Sequence, residues 1–283
     1  MEFRSSQVLL PSVLFAVLMA AKPSEQLSDE TPKTSSLISH EQKWLLTKIH
    51  GIAFIFAWFL FVPVAVGGAR YCKNYLTQYT PMGLRVWYHA HRTLNLIAVA
   101  LMIVGLTTIF IAHEWRWLGP QIGGKKNTSA TAYHTMFGIL SVLLAWIQPF
   151  NSLFRCNPSH RLRSLFNWSH RLLGLTSLVF ASAAIFIACV YFYKHLTSTT
   201  NAIIFCSLCI GVILGTVVFM ELIAWKNRSV EESLLAELES DKHLYSTIAT
   251  NYCHLLQGTL FVVASALLIA FCSTLSAIIA QKD

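Results

Sequence analysis

The chain has 283 residues, of which 55% are hydrophobic and only 12% charged, and it carries a formal net charge of +8. Charges gathered between long apolar runs exclude an ordinary soluble domain and indicate an integral membrane helix bundle. The basic residues are scattered over short loops, not set in a stripe with interleaved aromatics, so the positive charge does not indicate a nucleic-acid partner.

Residues 1–21 place Arg4 ahead of an apolar run from Val8 to Met19, followed by Ala20 and Ala21. That is the pattern of a signal peptide or of an uncleaved signal anchor. Either puts residues 22–49 outside the cytosol, with the polar stretch 22–47 as an extracytoplasmic tether. Four apolar segments follow, and each begins at a histidine: His50, His91, His134 and His170. About 20 apolar residues rising about 1.5 Å each cross a hydrocarbon core of about 30 Å. The first span, 49–70, holds Pro63, which predicts a kink, and closes on Gly67-Gly68-Ala69 before Arg70-Tyr71-Cys72-Lys73. The second, 88–112, leads to an external loop with the sequon Asn127-Thr128-Ser129. The third, 133–150, stops at Gln148-Pro149, and a loop holding Arg155, Arg161 and Arg163 precedes the fourth, 168–193. The flanking helices 202–225 and 251–279 are apolar but have no histidine at a matching depth, and a charged segment from Lys226 to Lys242 joins them. The predicted inner loops hold every arginine of the six-span region except Arg116, a modest positive-inside bias.

Four of the seven cysteines, Cys189, Cys206, Cys209 and Cys272, lie within apolar runs, as packing residues do, and not in a disulfide framework. No Cys-x-x-Cys-His motif is present for a covalently attached haem.

Consecutive spans run in opposite directions, so the first and third histidines share one face and the second and fourth the other. A zinc ion takes about four ligands, and two per level leaves each site half-built. A haem iron takes one imidazole from either side, which fills both axial positions and leaves single-electron transfer as its chemistry. Gly138 and Gly174 each follow a histidine by four positions, one turn deeper on the same face. Gly68 follows His50 by eighteen residues, or five turns. Missing side chains there give a flat macrocycle room, or serve close helix contact. Arg92 and Arg171 directly follow two of the histidines, where a guanidinium fork can pair with haem propionates or anchor the inner face. His89 competes with His91. The preference for His91 rests on the echo of Trp87-x-x-x-His91-Arg92-x-Leu94 in Trp168-x-His170-Arg171-x-Leu173. His254 and Glu221 read as interfacial residues.

Together, Lys48-Ile49-His50-Gly51, Ala57-Trp58, Pro63, Ala69-Arg70-Tyr71, Trp87-Tyr88-x-x-His91-Arg92, His134-x-x-x-Gly138, Gln148-Pro149 and Trp168-x-His170-Arg171-x-x-Gly174 resemble the cytochrome b561 family. The likeness is to the ferric-chelate reductase type of membrane domain and covers residues 48–193. It implies a transmembrane domain over 48–280 with a four-helix di-haem core, in which His50 and His134 hold an outer haem b and His91 and His170 an inner one. It further implies that cytosolic ascorbate donates, and that ferric iron, a ferric chelate or monodehydroascorbate accepts outside. Arg70 and Lys73 then sit where an anionic donor docks, and His113, Lys125 and Lys126 where an anionic chelate docks. Many relatives carry a DOMON domain ahead of the Lys-Ile-His-Gly motif, and the tether 22–47 is too short to be one. The expectation is therefore an all-α, six-helix oxidoreductase embedded in the lipid of a plasma membrane or endomembrane vesicle. The partner expectation includes a second copy of the chain as a homodimer. The competing expectation is a non-catalytic haem-binding or scaffold protein on the same bundle.

Overall fold

Apolar runs of this length cannot leave backbone groups unpaired in lipid, so they close their hydrogen bonds as helices. The computed structural model describes residues 38–153, 160–236 and 243–282. The expected leader 1–21, residues 22–37 of the tether and the loop arginine Arg155 lie outside them. Six helices are long and apolar enough to cross a membrane: His40–Tyr71, Val86–Ala112, Ala130–Ser152, Arg163–Tyr191, Thr199–Lys226 and His254–Ala280. No strand occurs among the described residues, in keeping with the expected all-α bundle.

The first span is built in three pieces: α1 (His40–Ile55), a π-helical turn (Phe56–Phe61) and α2 (Val62–Tyr71). Its start is a capping box, in which the Gln42 backbone N–H donates to Ser39 Oγ at 3.2 Å and the Ser39 N–H donates to Gln42 Oε1 at 3.0 Å. The helix thus begins within the stretch that the sequence presents as a tether. Pro63, the second residue of α2, lacks an N–H, and the wide turn just ahead of it absorbs that loss. The same turn shifts the helical phase. Gly68, which a 3.6-residue period sets below His50, instead faces α7 (His243–Ala280), with its Cβ position 3.8 Å from Phe261 Cζ. At Gly67 that position is 2.9 Å from the same ring.

α3 (Val86–Ala112) packs along the first span, α4 (Ala130–Leu153) along α5 (Arg163–Tyr191), and α6 (Thr199–Ala236) along α7. The first two pairs scarcely touch one another. A slot between them therefore runs through the four-helix part of the bundle, and α6 and α7 close its flank. Trp58, Phe59, Met102, Val142, Cys206, Cys272 and Leu275 belong to one buried core. Val217, Val218, Phe219 and Leu222 on α6 and Val262 and Val263 on α7 are exposed, as a lipid-facing surface requires. Exposed Trp115 and Trp117 at one end and Trp168 and Trp225 at the other form interfacial belts.

The chain direction alternates strictly, and the ends are tied accordingly. At the His50 end, Trp44 Nε1 donates to the Lys282 carbonyl at 3.2 Å and Lys48 Nζ to the Ala280 carbonyl at 3.1 Å. At the His91 end, Arg70 bonds Glu221 and the Tyr75 hydroxyl donates to the His254 carbonyl. Cys189, Cys206, Cys209 and Cys272 are buried and unbridged.

Candidate cofactor and docking sites

An imidazole inside a membrane span needs a partner for each ring nitrogen. His50 on α1 donates from Nδ1 to the Gly105 carbonyl of α3 at 2.9 Å, and His134 on α4 donates from Nδ1 to the Ala184 carbonyl of α5 at 2.9 Å. A carbonyl only accepts, so each bond places the ring proton on Nδ1 and leaves Nε2 as a lone-pair donor, the arrangement that metal-ligating histidines use. These two rings face each other across the slot, with centroids 6.2 Å apart and planes at 68°.

The second pair repeats the pattern at the other end. His91 on α3 and His170 on α5 have centroids 6.4 Å apart and planes at 64°. His91 Nδ1 donates to the Ala65 carbonyl of α2 at 3.0 Å, and Asn95, one turn on, donates to the His91 carbonyl at 2.7 Å. His170 stacks on Phe166 at 6.0 Å. His89 turns away to the loop, where its Nε2 bonds the Pro81 carbonyl at 2.9 Å. The structure thus sets His91, and not His89, opposite His170.

Two imidazoles bound to opposite sides of one metal ion, each at about 2.0–2.1 Å with the ring centre about 1.1 Å behind the nitrogen, put their centroids about 6.3 Å apart. Both pairs have that separation. Gly105 lies fourteen residues beyond His91 and Ala184 fourteen beyond His170, so the two levels are about 21 Å apart along the helices. No group of three or more histidine, cysteine or acidic side chains placed to hold a metal ion occurs among the described residues.

The slot beside each pair suits a flat ligand. A Cβ at Gly138 would meet nothing within 4 Å, and one at Gly174 only Gln148 Nε2 at 3.9 Å. The nearby hydroxyls turn back onto their own helices: Ser141 Oγ donates to the Gly138 carbonyl and Ser177 Oγ to the Gly174 carbonyl, both at 2.7 Å. Gly105 has a different task, which the sequence reading missed. A Cβ there would lie 2.6 Å from the Phe54 ring, which itself lies 4.9 Å from the His50 ring. The absent side chain lets α3 come close enough for its carbonyl to hold His50. The available signal was a lone glycine in the second span at the depth of the first histidine. Arg92 and Arg171 are exposed at the His91 end, each next in sequence to a slot histidine.

Beyond the His50–His134 pair lies a recess of about 440 Å³ whose walls include Lys43, Trp44, His113, Glu114, Arg116, Lys194 and His195. Lys43 Nζ donates to Glu114 Oε1 at 2.7 Å, and Arg116 lies 3.5 Å from the other carboxylate oxygen. Trp44 stacks on His195 at 4.5 Å. The Lys43 ammonium holds the Glu114 carboxyl below the usual carboxylate range. Burial pushes both His113 and His195 below the usual imidazole value, helped by Lys43 at the first and by His113 and Lys194 at the second. His113 lines this recess with Lys43, Lys194 and His195, whereas Lys125 and Lys126 do not. At the opposite end, Arg70 is already engaged by Glu221, and Lys73 Nζ lies 5.2 Å from the Trp87 ring centre.

Residues 74–194 match the family described as eukaryotic cytochrome b561, a range that includes His91, His134 and His170. The chain is 31% identical over 144 residues to ferric-chelate reductase 1 of Bos taurus, and 29% identical over 143 residues to that of Homo sapiens; each match covers 50% of this chain and 22% of the relative. It is 28% identical over 154 residues, 54% of this chain and 29% of the relative, to a cytochrome b561 and DOMON domain-containing protein of Arabidopsis thaliana. The matched region thus spans about a fifth to under a third of the length of these relatives. No solved structure matches. Six alternating apolar helices, histidines paired across a slot and a match that includes three of those four histidines point the same way: residues 74–194 are similar to the cytochrome b561 family.

Proposed function

We propose that this domain passes single electrons across a membrane through two b-type haems, one held by His50 and His134 and one by His91 and His170. The observation that carries the reading is the pair of imidazole separations, 6.2 and 6.4 Å, each at the spacing of two axial ligands on one metal. When bound, haem supplies reversible one-electron chemistry. The protein supplies the rest. Gly105, Ala184 and Ala65 carbonyls orient three of the ligands, Gly138 and Gly174 leave room for the macrocycle, and Arg92 and Arg171 are positioned to pair with propionates at the His91 level. The surrounding apolar core excludes water from the slot.

The direction of transfer follows from the chain's polarity. With the N-terminus extracytoplasmic, the His91 level faces the cytosol and takes electrons from ascorbate, and the His50 level delivers them to a ferric chelate. The activity for which the animal relatives are named, ferric-chelate reduction, supports that acceptor class. So does the recess, whose cations Lys43, Arg116 and Lys194 outnumber its one carboxylate, Glu114. A plasma membrane or an endomembrane vesicle both fit this topology.

Purified protein should hold about two haems per chain and show the sharp reduced bands of a six-coordinate b-type centre. In sealed vesicles loaded with ascorbate, external ferricyanide should be reduced only when the protein is present. A folded but colourless preparation defeats the proposal.

The recess also makes the acceptor side sensitive to pH. Burial holds His113 and His195 below the usual imidazole range, so their neutral forms are favoured near neutral pH and they gain charge as the pH falls. A bound anion favours their charged forms, so affinity for an anionic acceptor rises as protons bind. The KM for ferricyanide, whose own charge stays fixed as the imidazoles titrate, is expected to fall several-fold as the pH drops from neutral through their depressed titration range. A double His113→Gln, His195→Gln variant should flatten that profile while keeping its haem content.

A further inference from the structure

We propose that Glu221 controls the access of an anionic donor to Arg70, a role that rests on the donor reading of the His91 face. Apart from Glu41 in the first turn of α1, Glu221 is the one carboxylate within the six spans. A carboxylate there is costly unless paired, and its partners are specific. A single oxygen, Oε1, accepts from Arg70 Nε at 2.6 Å, lies 2.5 Å from Arg70 Nη2 and accepts from the Tyr71 hydroxyl at 2.8 Å. The Arg70 guanidinium also lies 5.6 Å from the Tyr71 ring centre.

The guanidinium fork presents its donors in one fixed plane, and Glu221 occupies two of them. An anionic donor that offers carboxylate-like or enolate oxygens recognises the same two N–H groups. The two carboxylate-like partners therefore compete for one fork. The site is half exposed, with side-chain accessibilities of 47% for Arg70 and 36% for Glu221, so a small anion can reach it and the ion pair is weak enough to exchange. Arg70 ends the helix that supplies the Ala65 carbonyl to His91, whereas Glu221 lies on α6, which contributes no slot histidine. The flanking helix thereby gains a function in the transfer path: it tunes the donor affinity of the core.

Reduction of the purified haem protein is measured by stopped flow against ascorbate concentration for the wild type, Glu221→Gln, Arg70→Gln and the double variant. Glu221→Gln is expected to lower the KM for ascorbate about five-fold, the size of effect expected on removing a half-exposed competing ion pair. The limiting rate, the haem content and the rate with an uncharged quinol donor should not change. Arg70→Gln should raise KM, and the double variant should match it, because no fork remains to be released. If Glu221→Gln does not assemble, Glu221→Asp, which withdraws the carboxylate by one methylene, should show part of the same fall. An unchanged or raised KM in a fully haem-loaded Glu221 variant overturns the gate alone. A wild-type protein that the uncharged quinol reduces and ascorbate does not overturns the donor reading, and the gate with it.

Discussion

His50→Ala and His134→Ala are each expected to lower the haem content from about two per chain to about one, and to remove the same spectral component. The two side chains come from helices that hardly touch, yet their rings face each other at 6.2 Å and each is held by a carbonyl of a third or fourth helix. Loss of either would leave the proposed cofactor with a single protein anchor at that level, in a slot that lacks close helix packing. His91→Ala and His170→Ala should together define the other component, and His89→Ala should affect neither, since its ring is committed to the Pro81 carbonyl. Loss of outer-shell partners alone lowers metal affinity about 10–100-fold, so removal of an axial ligand should cost at least about 100-fold. Transfer across a sealed vesicle should then be lost, because the surviving centre is separated from the far side by the about 21 Å between the two levels. If His50→Ala and His91→Ala instead removed the same component, the pairing across the slot would be wrong.

The histidine pairs were legible in the sequence because two simple constraints determine them. A span needs about 20 residues, and consecutive spans reverse direction, so a histidine at the start of each must alternate between faces. The features that stayed hidden depend on local departures from regular geometry or on contacts between distant segments. Gly68 was placed by counting five regular turns from His50, but the π-helical turn Phe56–Phe61 changes the count and sends it to Phe261. His89 and His91 are both near one helix start, and only the loop carbonyl of Pro81 separates their roles. The recess combines Lys43, from a stretch that reads as polar tether, with Lys194 and His195, more than 140 residues later. Nothing local marks these as neighbours. Charge alone likewise does not report that Lys125 and Lys126 lie off the recess lining.

Gly138→Leu and Gly174→Leu separate an electron carrier from a scaffold that merely keeps the bundle. The Cβ position of Gly138 has nothing within 4 Å, and that of Gly174 has one flexible amide nitrogen at 3.9 Å. A leucine there fills open space and replaces the poorest helix former after proline, which favours the helix by roughly 0.8 kcal/mol. A bundle whose function is purely structural should therefore gain slightly in thermal stability from each substitution. If the slot holds a macrocycle against the bare backbone, the same side chain occupies the cofactor's place and cannot collapse elsewhere, because packed interiors have little spare volume. Gly138, one turn from His134, is then expected to lose the His50–His134 haem, and Gly174, one turn from His170, the other. The apoprotein stability and the haem count should move in opposite directions in both variants. Gly105→Ala supplies a contrasting control, because its Cβ would meet the Phe54 ring at 2.6 Å and should destabilise the helix contact whether or not a cofactor is present. Unchanged haem content in both leucine variants would mean that the slot is an ordinary helix–helix gap, and that the four imidazoles must be explained without a macrocycle between them.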